Sequence, residues 1–236
     1  MLWYKAWLET RARFLASLVT LTLFNAIFVH HAQSLIRSEW KTDLNRLLFV
    51  NQQFLAVTWV LAVILLGMGG LIRERAMGTS ALTLALPVSR LRLLAVRIGL
   101  AIFEAVVLGT VPWAAVFVVS FAAKKPVSAA QVASYVLLLV GAGLVYLAMA
   151  VLVSSLIEGE YTAPAVATGI VFLTAILFDV RLRHWNVWRL VTGDFSIDRA
   201  TYLLSGHLPW LGIAGSLSVA TLLLLASVLV VQRSDF

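Results

Sequence analysis

Six apolar runs, each long enough to cross a lipid bilayer, constrain this chain more than any other feature: about 15–36, 54–72, 93–121, 132–157, 161–178 and 208–231. A helix spans the hydrocarbon core with about 20 apolar residues. In lipid every backbone N–H and C=O must find its partner within the protein, which leaves helices and closed barrels. The runs are continuously apolar rather than alternating, and that excludes a barrel. The reading is an all-α polytopic membrane protein with six transmembrane helices, in one transmembrane domain over 1–236. Composition agrees: 61% of residues are hydrophobic and 12% charged, against about 45–50% and about 25% in soluble domains. Disordered, collagen-like and nucleic-acid-binding classes are excluded on the same ground. The net charge of +7 comes from Lys and Arg scattered between apolar runs, a pattern suited to anionic headgroups of the bilayer and not to nucleic acid. With no cysteine there is neither a disulfide framework nor a thiolate metal site.

The runs are not alike. The first carries Asn25 and turns polar at His30 and His31, where it meets the headgroups. The third is overlong and holds Pro112, which predicts a kink or a break into two helices. The fifth is short and opens beside Pro164, a residue suited to a first helical turn. Ahead of the first run, Leu2, Trp3, Ala6 and Trp7 share one helical face while Lys5, Glu9 and Arg13 point elsewhere. That predicts an N-terminal interfacial helix over about 1–13, with a plain extension of the first span as the other reading. No small-residue cleavage site marks a signal peptide. An even number of spans puts both ends on one side. Lys and Arg divide nine and nine between the two sides. They are denser beside the ends, around 73–97 and before the first span, a lean toward cytoplasmic termini.

The connection after the second span reads LIRERAMGTSALTLALPVSRLRLLAVRI. Its start is too polar to cross, yet Met77, Ala81, Leu84 and Ala85 recur at helical spacing until Pro87. A short amphipathic helix of this kind suits a partner's groove.

These residues carry a family resemblance. Arg-Glu-Arg-x-x-Gly-Thr, an apolar helix and Leu-Pro-Val-Ser-Arg, matched at Glu74, Gly78, Thr79, Leu86, Pro87, Val88, Ser89 and Arg90, resemble permease subunits of type-2 ABC exporters. The tail Gln232-Arg233-Ser234-Asp235-Phe236 is similar to that family's basic-Asp-Phe ending. Tyr202-Leu203-Leu204-Ser205-Gly206, running through Leu208-Pro209-Trp210, is a third, weaker match. Architecture matches along the whole chain, specific residues only in these three patches. Unlike many relatives, the chain has only about 15 residues between its first two spans, and no large domain there.

The resemblance implies a half-transporter in the cell membrane, multi-pass, with both termini cytoplasmic. Two such subunits, identical or homologous, would pair, and separate ATP-binding cassette ATPase subunits would dock below. The cytoplasmic coupling helix between spans two and three would make the main contact, with Arg73, Glu74, Arg75, Met77, Gly78 and Thr79; Glu158 and Glu160 would make a second, smaller one. The 181–207 stretch would be an outward gate of short re-entrant helices. Neither catalysis nor a cofactor is expected in this chain, with ATP and Mg held by the partner ATPase. None of Lys5, Lys41, Lys124 and Lys125 follows the glycines of a Walker loop.

Polar residues inside the spans are the candidates for a substrate path: Asn25, Thr58, Trp59 and Glu104. Glu104, midway along the third span, is the sharpest anomaly, because a carboxylate in the bilayer is costly and by default marks function. The competing reading is a packing pair with Arg97 or with Asn25. Ala101, Ala105 and Gly109 form a small-residue row beside it that favours close helix packing. For Asn25, Thr58 and Trp59 the competing reading is single interhelical hydrogen bonds. Asn51, Gln52 and Gln53 precede the second run and are expected at its outer mouth. Trp185 and Trp188, with Arg181, Arg183 and Arg189, read as an interfacial belt.

Two other classes fit the residues less well. One is an intramembrane enzyme, protease or lipid-modifying: neither Gly-x-Ser-Gly nor Gly-x-Ser-x-Gly occurs, and His30, His31, His184 and His207 lie at span ends or in loops without a carboxylate pattern for a metal. A secondary transporter requires repeated, broken halves, and no internal repeat is visible. The leading reading is an ATP-driven exporter subunit for an amphiphilic or hydrophobic substrate.

Overall fold

A computed structural model describes residues 2–35, 40–68, 89–157, 162–181, 186–204 and 207–233. Helix α1 runs Leu2–Leu35, α2 Trp40–Gly67 and α3 Arg90–Ala122. The fourth span is α4 (Ala129–Leu137), a π turn (Leu138–Ala142) and α5 (Gly143–Leu156). Then come α6 (Thr162–Arg181), the short α7 (Val187–Val191) and α8 (Trp210–Arg233). Among the described residues the only β contact is an isolated bridge between Ile197 and Leu204. Among the described residues five helices are long and apolar enough to cross a membrane, and 162–178 within α6 is a shorter apolar stretch.

Four elements differ from the sequence expectation. Residues 2–13 are helical, but no break separates them from the first span, because neither Gly nor Pro interrupts 2–35. At 34 residues α1 is about 51 Å long, well beyond a ~30 Å core. Helix α2 begins fourteen positions before residue 54, so Asn51, Gln52 and Gln53 lie inside it and not at its mouth. Pro112 neither breaks α3 nor ends it; the helix continues for 33 residues, capped at its start by the Ser89 hydroxyl, which accepts the Arg92 N–H at 3.3 Å. Neighbouring helices restore what a buried proline removes. The fourth span, expected as a plain helix, carries the π turn. Such a turn leaves carbonyls out of register, and the Ser216 hydroxyl donates to that of Ala142 at 2.6 Å.

Packing follows from small residues meeting large ones. Trp59 of α2 is fully buried; its indole N–H donates to the Ala105 carbonyl at 3.0 Å. A Cβ on Gly143 would lie 2.5 Å from the Trp59 ring, and one on Gly109 would lie 2.5 Å from Val140. The small row of α3 therefore packs on protein. Helix α1 lies chiefly along α3 and α2, and α8 along α5, whereas α6 meets α5 and α2 only lightly. Outward-facing Phe103, Ile176, Leu211 and Leu222 give the lipid its apolar surface.

The two ends of the bundle can be told apart. At one, the Asn45 amide donates to the Thr201 carbonyl at 3.2 Å and accepts from Gln131 at 3.4 Å. At the other, Arg97 pairs with Glu9 at 2.9 Å, and Arg13 donates to the Met68 carbonyl at 2.9 Å.

Candidate functional site

Because α6 stands off from α2, a groove of about 620 Å³ opens between them. Val57, Val60, Leu61 and Ile64 recur at helical spacing along its α2 wall. Thr168, Val171, Phe172, Ala175 and Ile176 do the same on α6. Volume and lining are those of a small-molecule site, mostly apolar with a few converging polar groups.

The polar groups gather at one end, under α7 and the turn that follows. Asn186 caps α7, its side-chain oxygen accepting the Trp188 N–H at 3.0 Å, while its amide donates to the Ala175 carbonyl of α6 at 3.3 Å. Arg189 donates through Nε to the Asp194 carboxylate at 2.6 Å and again through Nη2, and its guanidinium stands 5.0 Å over the Phe195 ring. That pairing is possible because Gly193 turns the chain sharply at φ +79°, a conformation that favours glycine. Gln53, Trp188 and Thr192 complete this end.

The cap is tied to α2 from below. Gln52 is fully buried; its amide donates to the Val191 carbonyl at 2.7 Å, and its oxygen accepts the Trp113 indole N–H at 3.0 Å. Trp113 stacks on Tyr135 with centroids 4.7 Å apart.

Of the four path candidates, none lines this groove within one chain. Asn25 is buried on α1, its amide bonded to its own Leu21 carbonyl at 2.6 Å. Thr58 is exposed one step round α2 from Val57, its hydroxyl donating to the Phe54 carbonyl at 2.8 Å. Trp59 fills the junction of α2, α3 and α5. Glu104 is buried in the α1–α3 seam, where the Thr10 hydroxyl donates to it at 2.5 Å. Its partner is thus Thr10 rather than Arg97 or Asn25, and Arg97 pairs with Glu9. Trp188 and Arg189, expected in an interfacial belt, line the groove's polar end.

Arg73, Glu74, Arg75, Met77, Gly78, Thr79, Glu158 and Glu160 lie outside the described residues, as do the tail 234–236, Arg183, His184 and Trp185. Sequence reasoning singled out Gln53 but missed Val57, Asn186, Thr192 and Asp194. Asn186 two positions before Trp188 is a helix-start signal that could have found α7. The pairing of α2 with α6 carries no such signal, since it joins segments more than a hundred positions apart.

Comparison with protein families matches residues 10–190 to the family described as ABC-2 family transporter protein. Comparison with curated proteins and with solved structures finds no match.

Proposed function

The chain belongs to the ABC-2 transporter family and is the membrane-spanning permease subunit of an ABC transporter; we propose that it is an exporter subunit and that the α2–α6 groove is its share of the substrate path. Such permeases normally work with an ATP-binding cassette ATPase. In this reading the ATPase holds Mg and ATP and docks on Arg73, Glu74, Arg75, Met77, Gly78 and Thr79, with Glu158 and Glu160 as a smaller contact. Both termini then face the cytoplasm.

One observation carries the proposal: an apolar groove of about 620 Å³ ends in an Arg–Asp pair and is rimmed by exposed Leu61, Phe172 and Ile176. Its shape suits an amphiphile, with chain along the walls and a polar group at the Arg189–Asp194 end. A single subunit leaves it open on one side. A second permease subunit, identical or homologous, closes it and brings exposed Thr58 to the shared seam. Since α2 runs directly into the 69–88 connection, a displacement of that connection by the ATPase shifts one wall against the other.

The chain has no native cysteine, so single Cys at Leu61 or Phe172 is a clean test. In a homodimer both are expected to cross-link between subunits, and the permease to co-purify with an ATPase subunit. A monodisperse monomer that still supports ATP-driven export would move the path inside one subunit.

A further inference from the structure

Helix α7 is only five residues long, too short to hold its own place; the turn that follows takes the Trp188, Arg189 and Leu190 carbonyls, and that of Val191 is left for the bundle. Two side-chain bonds to the bundle supply the anchorage. Asn186 ties its start to Ala175 of α6. Gln52 of α2 meets the carbonyl of its last residue, Val191, at 2.7 Å. Immediately beyond lie Thr192, Gly193 and Asp194, and the Asp194 N–H returns to the Arg189 carbonyl at 2.9 Å. The position of Val191 thus sets where the Arg189–Asp194 pair stands.

Gln52 occupies a telling place on α2. Its neighbour Gln53 lines the groove, whereas Gln52 points into the core and takes the Trp113 N–H at 3.0 Å. Both atoms of its amide are bonded, in a site from which water is excluded. A rotation or slide of α2 therefore carries the groove wall and the cap's anchor together.

We infer that Gln52 is a positioning residue: it latches the α7 cap, and with it the Arg189–Asp194 pair, over the polar end of the groove, and α2 moves the cap through it. This rests on reading the groove as the substrate path. The Val191 bond is the latch, and the Trp113 bond satisfies the other end of the same amide.

Thr192, 2% exposed and on the groove wall, is the reporter, as Thr192→Cys in the full chain in nanodiscs. A membrane-impermeant maleimide should label it slowly. Gln52→Met conserves volume but removes both bonds, and labelling should rise at least about fivefold, the scale of one lost buried bond. Trp113→Phe keeps the stacked ring and leaves Gln52 free to hold Val191, so labelling should stay within about twofold of the parent. A Cys at Ala148, buried in α5, must stay unlabelled throughout. If it does not, Gln52→Met has loosened the whole bundle, and Gln52→Asn, whose amide is too short to span both partners, replaces it with the same expected rise. Parental labelling in Gln52→Met, or in Gln52→Asn where that replaces it, overturns the latch.

A second measurement uses the complex with its ATPase, trapped with ATP and vanadate. The parent reporter should label faster on trapping, while Gln52→Met should be fast in both states. If trapping leaves the parent unchanged, the ATP-driven path reading fails, and the first measurement still decides Gln52. If trapping still accelerates labelling in Gln52→Met as in the parent, α2 does not act through Gln52.

Discussion

At the scale of single residues, Glu104 shows how a costly group is kept in a membrane bundle. The Thr10 hydroxyl donates to one oxygen at 2.5 Å, and the other oxygen has no hydrogen-bond partner among the described residues. Thr10→Val should therefore destabilise the protein by about 1–3 kcal/mol, the cost of stranding a buried acceptor. Glu104→Gln keeps an acceptor for Thr10, so it should cost less; thermal unfolding in detergent ranks the two. The reverse order would show that the carboxylate itself carries the stability of the seam. Glycines give a second contrast. Gly143→Ala drives a methyl to 2.5 Å from Trp59 and should cost about 1–3 kcal/mol as overpacking. Gly169→Ala meets nothing within 4 Å and should gain about 0.5–1 kcal/mol from helix propensity. The sequence marked Glu104 and the small row of α3 as unusual. It could not identify Thr10, which lies 94 positions away on another helix, because partner choice is decided by packing.

At the scale of elements, what hydropathy reads well is where a helix is apolar, and what it reads poorly is where a helix stops. Helix α2 continues through Asn45, Asn51, Gln52 and Gln53 because no Gly or Pro ends it and because Asn45 and Gln52 find partners across the bundle. Pro112 was visible in the sequence, but not that α3 would run on through it; the π turn was invisible, because it is settled by a partner on another helix, the Ser216 hydroxyl. Arg13 illustrates such a repair at a helix end, donating to the Leu65 and Met68 carbonyls at 3.3 and 2.9 Å where the dipole of α2 favours a cation. Arg13→Ala should speed hydrogen exchange in the last turn of α2 and leave α8 unchanged. Equal exchange in both variants would mean that this turn is held from elsewhere. The segment after α7 supplies a pH test. Asp198 accepts the Ala200 N–H at 3.1 Å and the Thr201 hydroxyl at 2.8 Å, and these bonds hold its carboxyl below the usual range. A carboxyl lowered on folding stabilises the turn above its unfolded pKa of about 3.9; that contribution is lost as pH falls through the lower folded value. Exchange at the Ala200 amide, corrected for intrinsic rate, should stay protected at pH 5 and lose protection only below the ordinary carboxylate range. Asp198→Asn should abolish that pH dependence.

At the scale of the whole molecule, the alternation of spans fixes which connections share an end. The start of α2, the start of α4 and the loop before α8 meet through Asn45, Gln131 and Thr201. The start of α1, the end of α2 and the early turns of α3 meet through Glu9, Arg13, Met68 and Arg97. With α8 packed along α5 and beginning beside Leu190 of α7, its last turn returns to the end that holds the start of α1. Five long spans and the shorter apolar helix, with their order, were legible because each is an apolar run. The groove was not, because it depends on how far α6 stands from α2. Which end faces the cytoplasm follows in the proposed reading from the ATPase, since only a cytoplasmic 69–88 connection can meet it. A single Cys at exposed Ser128, on the turn between α3 and α4, should then react with an impermeant maleimide on intact cells. A single Cys at Thr79 should react only after the membrane is opened. Lys and Arg are denser around 73–97 than near Ser128, which favours the same side for Thr79 by the positive-inside tendency. Labelling of both from one side would break the six-span order itself. Exchange of the two patterns would keep the fold and invert it, placing the 69–88 connection where no cytoplasmic ATPase could reach it.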